Sequence, residues 1–181
     1  DKNSSIFDIK KVDIIIHAAT IASPTFYRKH PLKTAEANVD GLKNLLNFSL
    51  KKQINRILFF SSSEIYGDPD RKNIPTKETY NGNVSCMGPR ACYDESKRFG
   101  ETLCYIYNQT YNLPIRIVRP FNNYGPFLST RDKRLPSDLL KKVMNNENII
   151  IHSDGKPKRT FCYVADAICG YLNALKYQKK L

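Results

Sequence analysis

Tyr93 and Lys97 stand four residues apart in the run Tyr-Asp-Glu-Ser-Lys, a spacing that puts two side chains on one face of a helix. A free phenol titrates near ~10 and is a poor base at neutral pH, but an ammonium group beside it favours the ionised form. The pair is therefore a candidate alcohol-oxidising base. Chance alone supplies about one Tyr-x-x-x-Lys match in a chain of this composition, so the spacing needs support from its surroundings. Two flanking blocks supply it. The polar run SSSEIYG (61–67) follows an apolar segment upstream, and RPFNNYGP (119–126) follows another downstream.

The apolar pattern describes the elements that must position these blocks. Residues 12–16 (VDIII) and 57–60 (ILFF) are short continuous apolar runs, as expected of parallel strands covered on both faces. Between them, Pro31 suits the first turn of a helix, and Leu32, Ala35, Val39, Leu42, Leu45, Leu46 and Leu50 recur at helical spacing, predicting a helix over 31–53. The serines after Phe60 then lie at a strand's carboxyl end, where open α/β sheets bind ligands. Residues 68–89, rich in Pro, Gly and Asn, read as a long irregular crossing segment. A helix over 91–111, a strand over 115–118, a helix over 136–146, a strand over 149–151 and a helix over 164–177 complete the pattern. Alternation of strand and helix predicts an α/β fold with a parallel sheet.

Composition narrows the function classes. With 181 residues, 41% hydrophobic and 11% aromatic, the chain can bury one sizeable core, which excludes a disordered chain. No run approaches the roughly 18–20 apolar residues of a membrane helix, and the amino end, DKNSSIFDIKK, is polar and unlike a signal peptide. Five cysteines without a CxxC pair and three histidines suit neither a zinc site nor a disulfide framework. A cytoplasmic location with reduced thiols and no metal is expected. The formal charge of +12 is spread along the chain in short pairs such as Lys51-Lys52 and Lys141-Lys142, so no nucleic-acid partner is expected. A basic lining for an anionic substrate is compatible with it.

Taken in order, the three blocks resemble the extended short-chain dehydrogenases/reductases, the NAD-dependent epimerase/dehydratase family. ASPTFY (22–27), SSSEIYGDP, ETYNGNV and above all GPRACYDESKR are most similar to the UDP-glucuronate decarboxylases within it. The resemblance implies a Rossmann-like parallel sheet flanked by helices, with the first βαβ unit absent. Residues 1–125 would form part of an NAD-binding domain, and 126–181 part of a smaller substrate-binding region plus a returning helix. Position by position, Ser62 would hydrogen-bond the sugar hydroxyl, Tyr93 would act as base, and Lys97 would hold the nicotinamide ribose. Glu64 would be the acid/base carboxylate beside the sugar. Ala18 and Ala19, with His17 before them, would wall the adenosine pocket. Asn38 would lie near the cofactor, and Pro120 would bring backbone towards the nicotinamide. Asn122, Arg134 and Arg159 would meet the nucleotide-sugar, the arginines through their fork geometry for phosphate oxygens. A homodimer through the helices at 31–53 and 91–111 is also implied.

The neighbour of Glu64 discriminates among reactions. The related 4,6-dehydratases place an aspartate immediately before this glutamate, so that one carboxyl can protonate a departing hydroxyl. Here Ser63 stands in that place, and decarboxylation needs no such acid. UDP-glucuronate converted to UDP-xylose through a transient 4-ketone is therefore the leading expectation. A 4-epimerase or dehydratase-like enzyme, and a catalytically silent binding or scaffold module, stand as alternatives. Three departures bear on substrate: Phe127 replaces an expected arginine, Asp138 an asparagine, and His152-Ser153 a Tyr-Gly pair. None of the eight glycines forms a G-x-x-G-x-x-G turn, the backbone cradle for a pyrophosphate, which would be expected upstream of Asp1.

Overall fold

A computed structural model describes residues 11–129, 134–151, 153–156 and 158–177. His152 lies outside the described residues. Strand β1 (Ile14–His17) is followed by helices α1 (Pro24–Lys29) and α2 (Pro31–Lys52), strand β2 (Arg56–Phe60), helix α3 (Ala91–Tyr111) and strand β3 (Ile115–Val118). Strand β4 (Asn122–Tyr124), helix α4 (Leu135–Met144), strand β5 (Phe161–Tyr163) and helix α5 (Val164–Lys176) complete the order. β1, β2 and β3 form a parallel sheet in that order, with Ile15 beside Ile57 and Ile57 beside Ile115. β4 and β5 make a second, two-stranded parallel pair. α5 returns onto β2 and β3, where Arg56 and Arg116 donate to the carbonyls of Leu175 and Tyr177 at 2.9 and 2.8 Å.

The core lies where α2 and α3 cover β2. Leu42, Leu46 and Phe48 of α2 meet Ile57 and Phe59 of β2, Cys104 of α3, and Ile115 of β3, all buried. Each such aliphatic or aromatic side chain contributes about 1.5–3 kcal/mol by leaving water. The buried stripe of α2 is not wholly the leucine stripe expected. Leu32 is exposed, and Thr34, Asn38 and Ser49 are buried in line with Leu42 and Leu46. The hydroxyls of Thr34 and Ser49 donate to carbonyls four residues back, His30 and Leu45, so they enter the interior already satisfied. α2 stops at Gln53, whose φ of 51° is left-handed.

Gly100 sets how closely α3 approaches the sheet. A Cβ there would stand 2.7 Å from the Phe59 ring and 3.3 Å from a Leu42 methyl, both fully buried. Gly100→Ala is therefore expected to lower the unfolding free energy by about 1–3 kcal/mol in a urea titration, although alanine is the better helix former. An unchanged or higher midpoint would contradict this packing.

One expected strand is missing, and α1, β4 and β5 form where no element was expected. Residues 149–151 form no strand: Ile149, Ile150 and Ile151 are exposed and pair with nothing among the described residues, while Phe161–Tyr163 takes the place beside β4. α1 was not expected, although Ser23-Pro24 opens it in the ordinary way, with proline in its first turn.

Candidate active site

The carboxyl end of β2 turns directly into the site. After Phe60, Ser61 and Ser62 are buried, and Ser62 opens a short 3-10 turn, Ser63–Tyr66. Its hydroxyl accepts from the Glu64 N–H at 3.2 Å, and it also shares a hydrogen bond with the Tyr93 phenol. The turn is held against the crossing segment at Gly67, whose φ of 64° is left-handed and where an added Cβ would collide with the Asn83 carbonyl. Arg119 reinforces that join. It forms a two-toothed pair with Glu101 at 2.9 and 2.7 Å, and donates to the Tyr66 hydroxyl and the Glu78 carbonyl.

Helix α3 brings Tyr93 and Lys97 to the same place. Tyr93 is 6% exposed and stacks on Tyr27 of α1, with ring centroids 5.1 Å apart and planes 12° from parallel. Lys97 is 2% exposed and donates to the Phe60 carbonyl at 2.7 Å. Its ammonium also lies 5.9 Å from the Tyr93 ring and 5.1 Å from that of Phe59. Burial shapes the electrostatics more than the expected charge pairing does. It holds the Lys97 pKa down at about 8. Burial also raises the Tyr93 phenol above its ordinary value, while the Ser62 hydrogen bond and the charge of Arg134 pull it back. Arg134, at the amino end of α4, is a smaller influence that lowers the Tyr93 value, and the Lys97 ammonium stands beside the same ring. His17, buried against Phe59 and near the Lys97 charge, falls to about 4 and is neutral at physiological pH.

Other expected contacts take varied places. Ala18 and Ala19 are exposed just past β1. The Pro120 carbonyl accepts from Ser63 N–H at 2.9 Å, tying β3's end to the Ser62 turn. Asn122 donates to the Thr160 carbonyl at 3.0 Å, joining β4 to the approach of β5, and Arg159 is exposed there. Asn38, expected near the cofactor, is buried between the loop after β1 and α3. It is 1% exposed, accepts from Thr20 at 2.6 Å and donates to Ser96 at 2.8 Å, so it links the loop after β1 to α3. Asn38→Ala leaves both partners short of a hydrogen bond in the interior and is expected to cost about 1–3 kcal/mol of stability in chemical denaturation. A loss below a few tenths would contradict the link.

Two participants had no role assigned from sequence. Tyr27 is the platform under Tyr93; its hydroxyl is buried beside the Arg90 guanidinium without a well-aligned hydrogen bond. Arg90 forms ion pairs with Glu64 and, at 3.2 Å, with Asp94. Both lie inside blocks that carry the resemblance, ASPTFY and GPRACYDESKR, and that was their only signal. A groove of about 480 Å³ lined by Glu78, Arg98, Phe99 and Arg119 includes none of Ser62, Tyr93 and Lys97. Among the described residues no helix is long and apolar enough to cross a membrane, and no cluster of His, Cys, Asp and Glu could hold a metal ion.

A parallel sheet with serine at the end of one strand, and tyrosine and lysine on the helix that follows, defines a class. The chain belongs to the NAD dependent epimerase/dehydratase family, which it matches over residues 1–180. It is similar to UDP-glucuronic acid decarboxylase 5 of Arabidopsis thaliana, 41% identical over 166 residues, which is 92% of this chain and 48% of that protein. UDP-glucuronic acid decarboxylase 1 of Xenopus tropicalis is 39% identical over 160 residues, 88% of this chain and 37% of that one. Among solved structures, UDP-glucuronic acid 4-epimerase of Bacillus cereus in complex with UDP-glucuronic acid and NAD superposes with a TM-score of 0.75 at 26% identity, covering 93% of this chain and 51% of that one. The chain thus spans about half the length, or less, of the relatives it matches.

Proposed function

We propose that this chain is part of an NAD-dependent enzyme that decarboxylates UDP-glucuronate to UDP-xylose. The observation that carries the reading is the meeting of Ser62, Tyr93 and Lys97 at the end of β2, with Glu64 beside them and Ser63 where a dehydratase would need a second acid. The similarity to decarboxylases supports the choice of reaction.

The residues present fit the cofactor. The buried Lys97 ammonium spends one hydrogen bond on Phe60 and keeps donors for ribose hydroxyls, and the side chains of exposed Ala18 and Ala19 end at Cβ, leaving room for a large flat ligand. Lys97, Ala18, Ala19 and the Pro120 backbone would hold NAD. When bound, NAD would take a hydride from C4 of the sugar and later return it, so that it ends each cycle unchanged. Tyr93 removes the proton of the C4 hydroxyl and gives it back at the end. Ser62 hydrogen-bonds the same oxygen and keeps the phenol aimed at it. The C4 ketone lies β to the C5 carboxylate, which leaves as carbon dioxide, and the resulting enol takes a proton at C5 from the side of Glu64. Asn38 acts through Thr20 and Ser96, as a positioning residue. Asn122, Arg134 and Arg159 serve the nucleotide-sugar, and two copies associate through α2 and α3, whose Phe99, Tyr105 and Ile106 are exposed.

Incubating the full-length protein with NAD and UDP-glucuronate and resolving the products by chromatography tests the reading. UDP-xylose is expected. UDP-galacturonate in its place would favour the 4-epimerase reading, to which the fold similarity lends support, and no product would remove both.

A further inference from the structure

Arg90 is an unexpected residue to find where it is. It occupies the N-cap of α3, where Ser, Thr, Asp and Asn are favoured and where the helix dipole disfavours a cation. Its carbonyl accepts from the N–H groups of Tyr93 and Asp94 at 2.9 and 3.0 Å, so its backbone fixes the turn that aims Tyr93. Its side chain spans to the other half of the site. One nitrogen binds Oε2 of Glu64, 26 residues earlier on the turn after β2, and Nε binds Oδ2 of Asp94 at 3.2 Å. It also lies against the hydroxyl of Tyr27, whose ring supports Tyr93. A local rule broken at such a junction points to function.

We infer that Arg90 is the positioning residue for Glu64, clamping one carboxylate oxygen so that the other, Oε1, meets C5 of the sugar. The inference rests on the decarboxylase reading. After carbon dioxide leaves, the electron pair of the broken C–C bond resides in the C4–C5 enol. Glu64, ionised against Arg90, takes up a proton from solvent at Oε1 and passes it to C5, returning to its carboxylate form. A carboxyl free to swing would deliver it slowly, and the decarboxylated 4-ketone would escape before hydride returned. Arg90 thereby joins the turn carrying Ser62 and Glu64 to the helix carrying Tyr93 and Lys97.

The test uses full-length protein, NAD and UDP-glucuronate, and reads kcat, KM and the fraction of turnover released as the decarboxylated 4-ketone. Arg90→Ala is expected to lower kcat by about 30–100-fold with KM changed less than about threefold, and to raise the released ketone. Glu64→Gln should do the same. The double variant should be no slower than Glu64→Gln alone, because Arg90 acts through that carboxylate, and Arg90→Lys should recover about a tenth or more of wild-type kcat. If Arg90→Ala does not fold, Arg90→Lys and Arg90→Gln, checked by melting temperature, carry the comparison. Losses that multiply in the double variant, or an Arg90→Ala kcat within about twofold of wild type, would overturn the assignment. A wild-type protein that makes no UDP-xylose would instead overturn the decarboxylase reading, and this one with it.

Discussion

Tyr93→Phe is expected to lower kcat by about 10²–10⁴-fold while the melting temperature moves only slightly. The substitution removes one hydroxyl and keeps the ring, so the stack on Tyr27 and the burial of the side chain survive. What is lost is the hydroxyl proposed to take the C4 proton, together with its contact with Ser62. The phenol stands raised by burial, so its use as a base depends on charge brought to it, and Lys97 and Arg134 are the cations nearby. Near-normal turnover by Tyr93→Phe would refute its assignment as the base.

Lys97→Met is expected to move stability and activity in opposite directions. The folded chain holds the Lys97 ammonium at 2% exposure with its pKa at about 8, below its ordinary 10.5. At about 1.4 kcal/mol per pH unit, the charged form costs the fold about 3 kcal/mol. Below pH 8 folded and unfolded chains both hold the proton, and the cost is borne in full. Between about 8 and 10.5 the unfolded chain binds more protons than the folded one, so stability rises with pH and the cost disappears. Methionine carries no such charge. The stability of Lys97→Met relative to wild type should thus be greatest below pH 8 and fall by about 3 kcal/mol by pH 10.5. Tyr93, whose folded value is raised, and Cys104, pushed up to about 12, lose stability over the upper part of this range in both proteins. Tyr93 largely cancels in the difference, whereas Cys104, which the Lys97 charge pulls down, stands higher in Lys97→Met and adds to the fall at high pH. Turnover should drop at least about 100-fold, because a buried ammonium is retained against its own cost only where it has work to do. A pH-independent difference in urea titrations would contradict the buried charge.

The central helix was legible because two signals coincided in it: an amphipathic period over 91–111 and a Tyr-x-x-x-Lys spacing, and α3 spans Ala91–Tyr111 as expected. Strand β2 was legible as an uninterrupted apolar run over 57–60, and β3 as a short apolar segment broken by Arg116, each followed by a polar turn. What sequence could not display is the pairing of distant residues. Arg90 and Glu64 are 26 positions apart, and Asn38 and Ser96 are 58 apart. Neither distance has a period, so neither bond announces itself. The same limit explains the isoleucines at 149–151, whose apolarity predicted a strand although β4 receives Phe161–Tyr163 instead. The pKa directions also required three dimensions. Spacing puts a lysine beside a tyrosine, but burial decides that the lysine loses charge affinity and that the tyrosine stands raised.

The central claim is a redox cycle that begins and ends at one carbon of the sugar. Full-length protein supplied with NAD and UDP-glucuronate deuterated at C4 tests it directly. UDP-xylose that keeps deuterium at C4, carries solvent hydrogen at C5 and forms without build-up of reduced cofactor is the result predicted. UDP-xylose that has exchanged its C4 deuterium for solvent hydrogen, or no UDP-xylose at all, would contradict it.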